Sequence, residues 1–322
     1  MPDNTKPAWP QNAMVGYIDM QAAGSMAAIT AGQIQAYNVI VLSFANADGT
    51  VDPGLMSAVA PLLQEQAAGT LNLLSYGGEG AGAQLTPTTA QNLVASAQQY
   101  DLDGIDLDIE DNSITVADYA AFVAALRAAM NNDLLLTMAP ILAGAPNAPT
   151  LNIPNGGVSL EPIYSQPGFD AVLVQAYNSG PSFTYPLPSD PSQQVGEDNA
   201  NIISAAYDAL QQNGDVNLGT KIVIGIPANA GGAPTASNVW DVADHSSVPP
   251  LVGTNLHDIA SGSYGIDPEQ FGGLMTWSLN TDADPSAFPG YNGFQNGPAG
   301  YFAENVAPMM TGLQAGSAQA AE

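Results

Sequence analysis

Eight short apolar runs, separated by polar or helix-like stretches, constrain this sequence more than any other feature. They cover residues 13–20, 38–45, 70–77, 102–110, 134–140, 169–177, 221–228 and 272–279. Each is one strand long and rich in Val, Ile and Leu, the pattern of parallel strands buried on both faces. Between them, 86–100 opens on Thr residues suited to capping, and 115–132 is an Ala-rich amphipathic run. Residues 196–214 end in Gly, a common helix stop. Strand alternating with helix through eight strands argues an α/β fold, a single (β/α)8 TIM barrel. An open doubly wound sheet is second choice, because the Gly-rich run 77–82 does not fit a GxGxxG dinucleotide fingerprint.

The barrel is expected over 13–310, preceded by an extension at 1–12 and followed by a low-complexity tail at 311–322. Two connections are long, 141–168 and 229–271, and both belong on the face where barrels carry their chemistry. No apolar run approaches the length of a membrane span. With no Cys, disulfides, thiolate zinc sites and a cysteine nucleophile are excluded. With only two His, a three-histidine metal centre is excluded too, and no metal or other cofactor is expected.

Thirty acidic residues face three basic ones, a formal charge of −27. Nucleic acid is a poor partner for such a chain, since displacing phosphate counterions needs Lys or Arg. Anionic membrane surfaces fail for the same reason. A neutral or cationic substrate is favoured, and the expected state is a monomer.

The densest chemical signal is Asp103-Gly104-Ile105-Asp106-Leu107-Asp108-Ile109-Glu110. On a strand, Asp106, Asp108 and Glu110 share one face at steps of about 6.7 Å, while Ile105, Leu107 and Ile109 take the other. Carboxylates aimed into a barrel are a costly way to build a core. Their crowding and burial should raise at least one pKa, which suits a general acid. A calcium loop would place polar spacers between its ligands, and here the spacers are apolar.

This segment resembles the DGxDxDxE signature of glycoside hydrolase family 18, the chitinases and endo-β-N-acetylglucosaminidases, and lies on the strand where that family carries it. The resemblance implies substrate-assisted, retaining hydrolysis of β-1,4 bonds between N-acetylglucosamine units, with chitin or its oligosaccharides as partner. It implies that Glu110 protonates the glycosidic oxygen, that Asp108 orients the N-acetyl group, and that Asp106 supports Asp108 by a shared proton or hydrogen bond. Ser75-Tyr76-Gly77-Gly78 resembles the family's SxGG motif. Gln175-Ala176-Tyr177-Asn178 resembles its QxYN motif, with Tyr177 hydrogen-bonding the acetamido oxygen. Many relatives carry Asp where Asn178 stands. Trp277 matches the aromatic floor of the −1 sugar site, and Tyr17, Phe44, Met138, Ala139 and Gln175 occupy positions that line it in relatives.

The 229–271 connection is too short for the α+β subdomain that many secreted relatives insert there, so a shallow, open cleft and endo-acting cleavage are expected. Alternatives are an endo-β-N-acetylglucosaminidase acting on N-glycan cores and a sugar-binding lectin-like relative; lectin-like relatives usually lack the final acid, present here as Glu110. The expected location is extracellular, although residues 1–20 show no basic and apolar signal pattern.

Overall fold

All eight expected strands are present in the structure, a computed structural model that describes residues 6–145, 148–154, 157–179, 183–233, 238–242, 244–288, 297–310 and 312–313. β1 (Ala13–Asp19), β2 (Val39–Ser43), β3 (Leu71–Gly77), β4 (Gly104–Asp108) and β5 (Leu135–Met138) pair in parallel and in order. β6 (Ile141–Ala145) and β7 (Ala148–Asn152) then form an antiparallel hairpin. β8 (Ala171–Gln175) rejoins the barrel beside β5. A second hairpin, β9 (Thr184–Leu187) and β10 (Asp190–Gly196), follows. β11 (Lys221–Pro227) pairs with β8, and β12 (Phe271–Trp277) pairs with β11 and with β1, closing the barrel.

Helices cover the outside: α1 (Ala23–Met26), α2 (Ala31–Ile34), α3 (Pro53–Leu63), α4 (Pro87–Gln99), α5 (Val116–Met130), α6 (Glu161–Tyr164), α7 (Ile202–Asn213), α8 (Val248–Ala260), α9 (Leu279–Ala283) and α10 (Tyr301–Asn305). Their starts follow local chemistry. Asp52, Thr86 and Thr115 each accept a backbone N–H at the first turn of α3, α4 and α5. α7 stops at Gly214, which takes the left-handed conformation. None of the described helices is long and apolar enough to cross a membrane.

Strand periodicity sorts the core into two layers. Val15, Val41, Leu73, Leu173, Val223 and Met275 point inward and pack in the barrel lumen. Their neighbours Met14, Ile40, Leu74, Ile105, Leu136, Val174 and Ile224 point outward against the helices. The lumen is therefore filled by side chains, as in other barrels of this size. Trp9 packs against the luminal cluster, and its indole N–H donates to Gly272 O at 3.1 Å, so the preceding chain caps the N-terminal end of the barrel. All three Lys and Arg residues lie at that same end. Lys6 pairs with Asp170 just before β8 at 2.7 Å, Arg127 stacks over Phe169 at 5.0 Å, and Lys221 opens β11.

One expectation of the secondary structure needs correction: the helix expected over 196–214 begins at Ile202, because 190–196 pair with 184–187 instead. The 141–168 connection holds the β6–β7 hairpin. The 229–271 connection holds α8, whose two prolines fall in the first turn, where a missing N–H costs nothing. Residues 1–5 of the expected extension, and 311 and 314–322 of the expected tail, lie outside the described residues.

Two measurements check this description. Trp9→Ala should lower stability by about 2 kcal/mol in urea unfolding, since a large apolar side chain would be lost from the capped end. Native protein should survive trypsin, because Lys6 precedes Pro7, Arg127 lies within α5 and Lys221 begins a barrel strand.

Candidate active site

The C-terminal ends of the barrel strands open into a cleft of about 720 Å³, lined in part by Tyr17, Phe44, Gly77, Asp108, Glu110, Ala139, Gln175, Tyr177, Asn178 and Trp277. β4 supplies its acids. The strand ends at Asp108, and Glu110 follows two residues later, half-buried at the cleft wall. The alternation still holds: Ile105, Leu107 and Ile109 pack in the outer layer.

Asp106 is fully buried below the cleft. Its Oδ2 accepts the hydroxyls of Tyr17 at 2.9 Å and Ser75 at 2.8 Å, and its Oδ1 accepts that of Thr137 at 2.6 Å. Three different strands thus donate to one carboxylate. Burial raises the Asp106 pKa, and these hydrogen bonds pull it back only in part.

Asp108 Oδ1 accepts from Gln175 Nε2 at 3.0 Å. The same Gln175 nitrogen donates to Ala139 O at 2.9 Å, which fixes the amide. Asp106 acts on Asp108 through its charge. Burial first, then the charges of Glu110 and Asp106, push the Asp108 carboxyl well above the usual range. Glu110 is also raised, chiefly by burial, with Asp108 opposing. Both carboxyls therefore hold a proton more readily than a solvated carboxyl does.

Gly77 and Gly78 let strands β3 and β4 close over this pair. Gly77 has φ +117, and a Cβ there would sit 2.1 Å from Asp108 O. Gly78 N–H donates to that same carbonyl at 2.7 Å. A Cβ on Gly78 would meet the Phe44 ring at 2.7 Å, so the pair of glycines also makes room for an aromatic wall. Phe44 stacks on Trp277 with centroids 5.9 Å apart, and Tyr17 tilts against Trp277 at 5.7 Å. Tyr177 is nearly buried, and burial followed by the Asp108 charge holds its hydroxyl protonated well above its ordinary pKa. Asn178, at φ 62, is exposed at the rim.

Eleven of the twelve expected site residues belong to this assembly: ten line the cleft and Asp106 lies beneath. Met138 does not. It packs among the helices, because Thr137 and Ala139 point inward and period-2 geometry sends the residue between them out. Sequence reasoning missed Thr137 and Met275, along with the cleft acids Asp19 and Glu79. Thr137 had a signal, a lone hydroxyl in the apolar run LLLTMAP. Asp19 and Glu79 had none beyond lying at strand ends.

With this geometry in place, the chain's affiliation follows. A sequence model of Glycosyl hydrolases family 18 matches residues 13–273, and the protein belongs to that family. It is a glycoside hydrolase. A chitinase of Enterococcus faecalis is 26% identical over 307 residues, covering 85% of this chain and 79% of that protein. The solved family GH18 chitinase of Chromobacterium violaceum superposes with TM-score 0.60 at 22% identity, over 96% of this chain and 85% of that one. The catalytic domain of a hyperthermophilic chitinase from Pyrococcus furiosus gives 0.59 at 15% identity, over 96% and 98%. These two share the barrel fold.

The buried acids predict a pH dependence of stability. Asp106, Asp108 and Glu110 all have raised folded-state pKa values, and burial pushes Asp282 up to about 6 despite two backbone N–H donors from Phe302 and Ala303. A raised carboxyl binds its proton more tightly folded than unfolded, so its stabilisation is full below the unfolded pKa and lost as pH rises through the folded one. The exposed acids with lowered values, such as Asp48 and Asp190, act only in more acidic solution. The melting temperature should therefore be higher near pH 5 than near pH 7.5, measured calorimetrically at fixed salt.

Proposed function

We propose that the protein is an endo-acting chitinase that cleaves β-1,4 bonds between N-acetylglucosamine units with retention, using the substrate's own acetamido group as nucleophile. The observation that carries this reading is that Asp108 and Glu110 come from the same end of one strand, β4, and line the same cleft. Retaining glycosidases of the two-carboxylate kind hold their acids about 5–5.5 Å apart, across the scissile bond. Two carboxyls that follow one another on a single strand end lie side by side rather than on opposite faces of a scissile bond, so the nucleophile comes from elsewhere, and a neighbouring acetamide supplies it.

The remaining side chains fit the steps. As the sugar settles over Trp277, its acetamido N–H donates to Asp108, and Glu110 holds the proton. The acetamido oxygen, held by the Tyr177 hydroxyl, attacks the anomeric carbon. The glycosidic C–O bond breaks as Glu110 protonates the leaving oxygen. The negative charge on Asp108 stabilises the oxazolinium ion. Glu110, now a base, takes a proton from water as its oxygen opens that ring, and the product keeps its configuration. Asp106, fixed by its three hydroxyls, sustains the high proton affinity of the pair.

Cleft charge agrees with a neutral or cationic substrate: Asp19, Glu79, Asp108 and Glu110 line the cleft, while all three cations sit at the opposite end of the barrel. The family and the chitinase relatives support the same reading. We assign the enzyme to extracellular chitin or its oligosaccharides, acting as a monomer.

The test is incubation with N-acetylglucosamine tetramer to hexamer, with products read by mass and anomeric form. Early products should carry the β-anomer. Glu110→Gln should lower kcat by about 10³-fold while oligosaccharide binding persists, because shape survives and the proton does not. Fully deacetylated chitosan should resist the wild-type enzyme. Turnover of chitosan at a rate comparable to chitin would sink the acetamide-assisted mechanism.

A further inference from the structure

A buried carboxylate that the mechanism does not use lies directly behind the Tyr177 turn. Glu197 follows the β9–β10 hairpin and is only 2% exposed. Its Oε2 accepts the backbone N–H of Ser179 at 3.0 Å. That N–H belongs to the residue after Asn178, which holds φ 62, and Asn178 follows Tyr177 at the cleft. The hairpin bringing Glu197 there is itself anchored. Tyr185 is fully buried, and its hydroxyl donates to Ala143 O of β6 at 2.6 Å.

A backbone N–H near a buried side chain is costly to leave without its acceptor, so the Ser179 N–H stays where the Glu197 oxygen holds it. The left-handed residue at 178 turns the chain sharply after β8, so the direction of Tyr177 depends on how firmly the far side of that turn is held. Glu197 supplies the hold. Its charge also adds to the influences that keep the Tyr177 hydroxyl protonated as a donor.

We propose that Glu197 is a positioning residue: by accepting the Ser179 N–H it clamps the 177–179 turn and aims the Tyr177 hydroxyl at the acetamido oxygen of the substrate. This rests on the acetamide-assisted reading above. The clamp acts when the acetamido oxygen moves toward the anomeric carbon, so its loss falls on kcat rather than on binding.

The experiment compares wild type with Glu197→Ala, Glu197→Gln and Glu197→Asp on N-acetylglucosamine tetramer, recording kcat, KM and melting temperature. Glu197→Ala should lower kcat by about tenfold or more with KM within about threefold, since a misplaced reacting group costs rate steeply. Glu197→Gln keeps an acceptor oxygen at the same reach and should regain most of that rate. Glu197→Asp keeps the charge but withdraws the oxygen, and should show the same loss in kcat; it carries the test if the Ala variant fails to fold. Three results would overturn the clamp: an unchanged kcat in both Glu197→Ala and Glu197→Asp, a loss confined to KM, or a loss that Glu197→Gln does not regain. Wild type inactive on the tetramer would overturn the chitinase reading and this inference together, whereas an active wild type with indifferent variants would overturn the inference alone.

Discussion

Asp106 is completely enclosed within the barrel, out of reach of bulk solvent. It stays in place because Tyr17 from β1, Ser75 from β3 and Thr137 from β5 all turn a hydroxyl toward it. Replacing any one donor would leave a buried acceptor short of a partner, a loss of about 1–3 kcal/mol. The requirement runs across three strands at once, so it fixes their register as well as their side chains. Asp108, one step further along β4, stands where Asp106's charge raises its proton affinity.

That charge relation carries on to Glu110 and Gln175. A carboxyl with raised affinity beside another raised carboxyl makes a pair that holds one proton readily and loses it reluctantly. Gln175 decides where the pair points, because its amide is tied to Ala139 O on one side and to Asp108 on the other. The glycines at 77 and 78 contribute nothing chemical, yet their missing Cβ atoms let the β3 backbone press against the carbonyl of Asp108. Proton affinity and backbone contact are thus set by the same two adjacent strands.

The barrel was legible because buried parallel strands leave short runs rich in Val, Ile and Leu, and eight such runs recur along the chain. The acids on β4 were legible for a related reason, since charge alternating with Ile and Leu has few uses other than a site. Parity was the weak point. Met138 and Ala139 are adjacent, so one of them had to face the helices, and Thr137 at its hydrogen bond to Asp106 settles which. The hairpins were hidden by their prolines: Pro186 and Pro188 lie on one strand side of β9–β10 and Pro191 on the other, where proline normally argues against a strand. Here Pro191 falls in the irregular register between Asp190 and Gln194, and Pro188 in the turn. Glu197 went unnoticed with that hairpin, because it lies within the 196–214 segment read as helix.

The capped end of the barrel has a mechanical consequence for any polymer that reaches it. Trp9 stoppers the N-terminal end, and Val15, Val41, Leu173 and Val223 pack the lumen behind it. The barrel is a blind vessel, not a tube. Any ligand can therefore reach the acids only from the open end, where the strand C-termini form the cleft, and must leave by that same end.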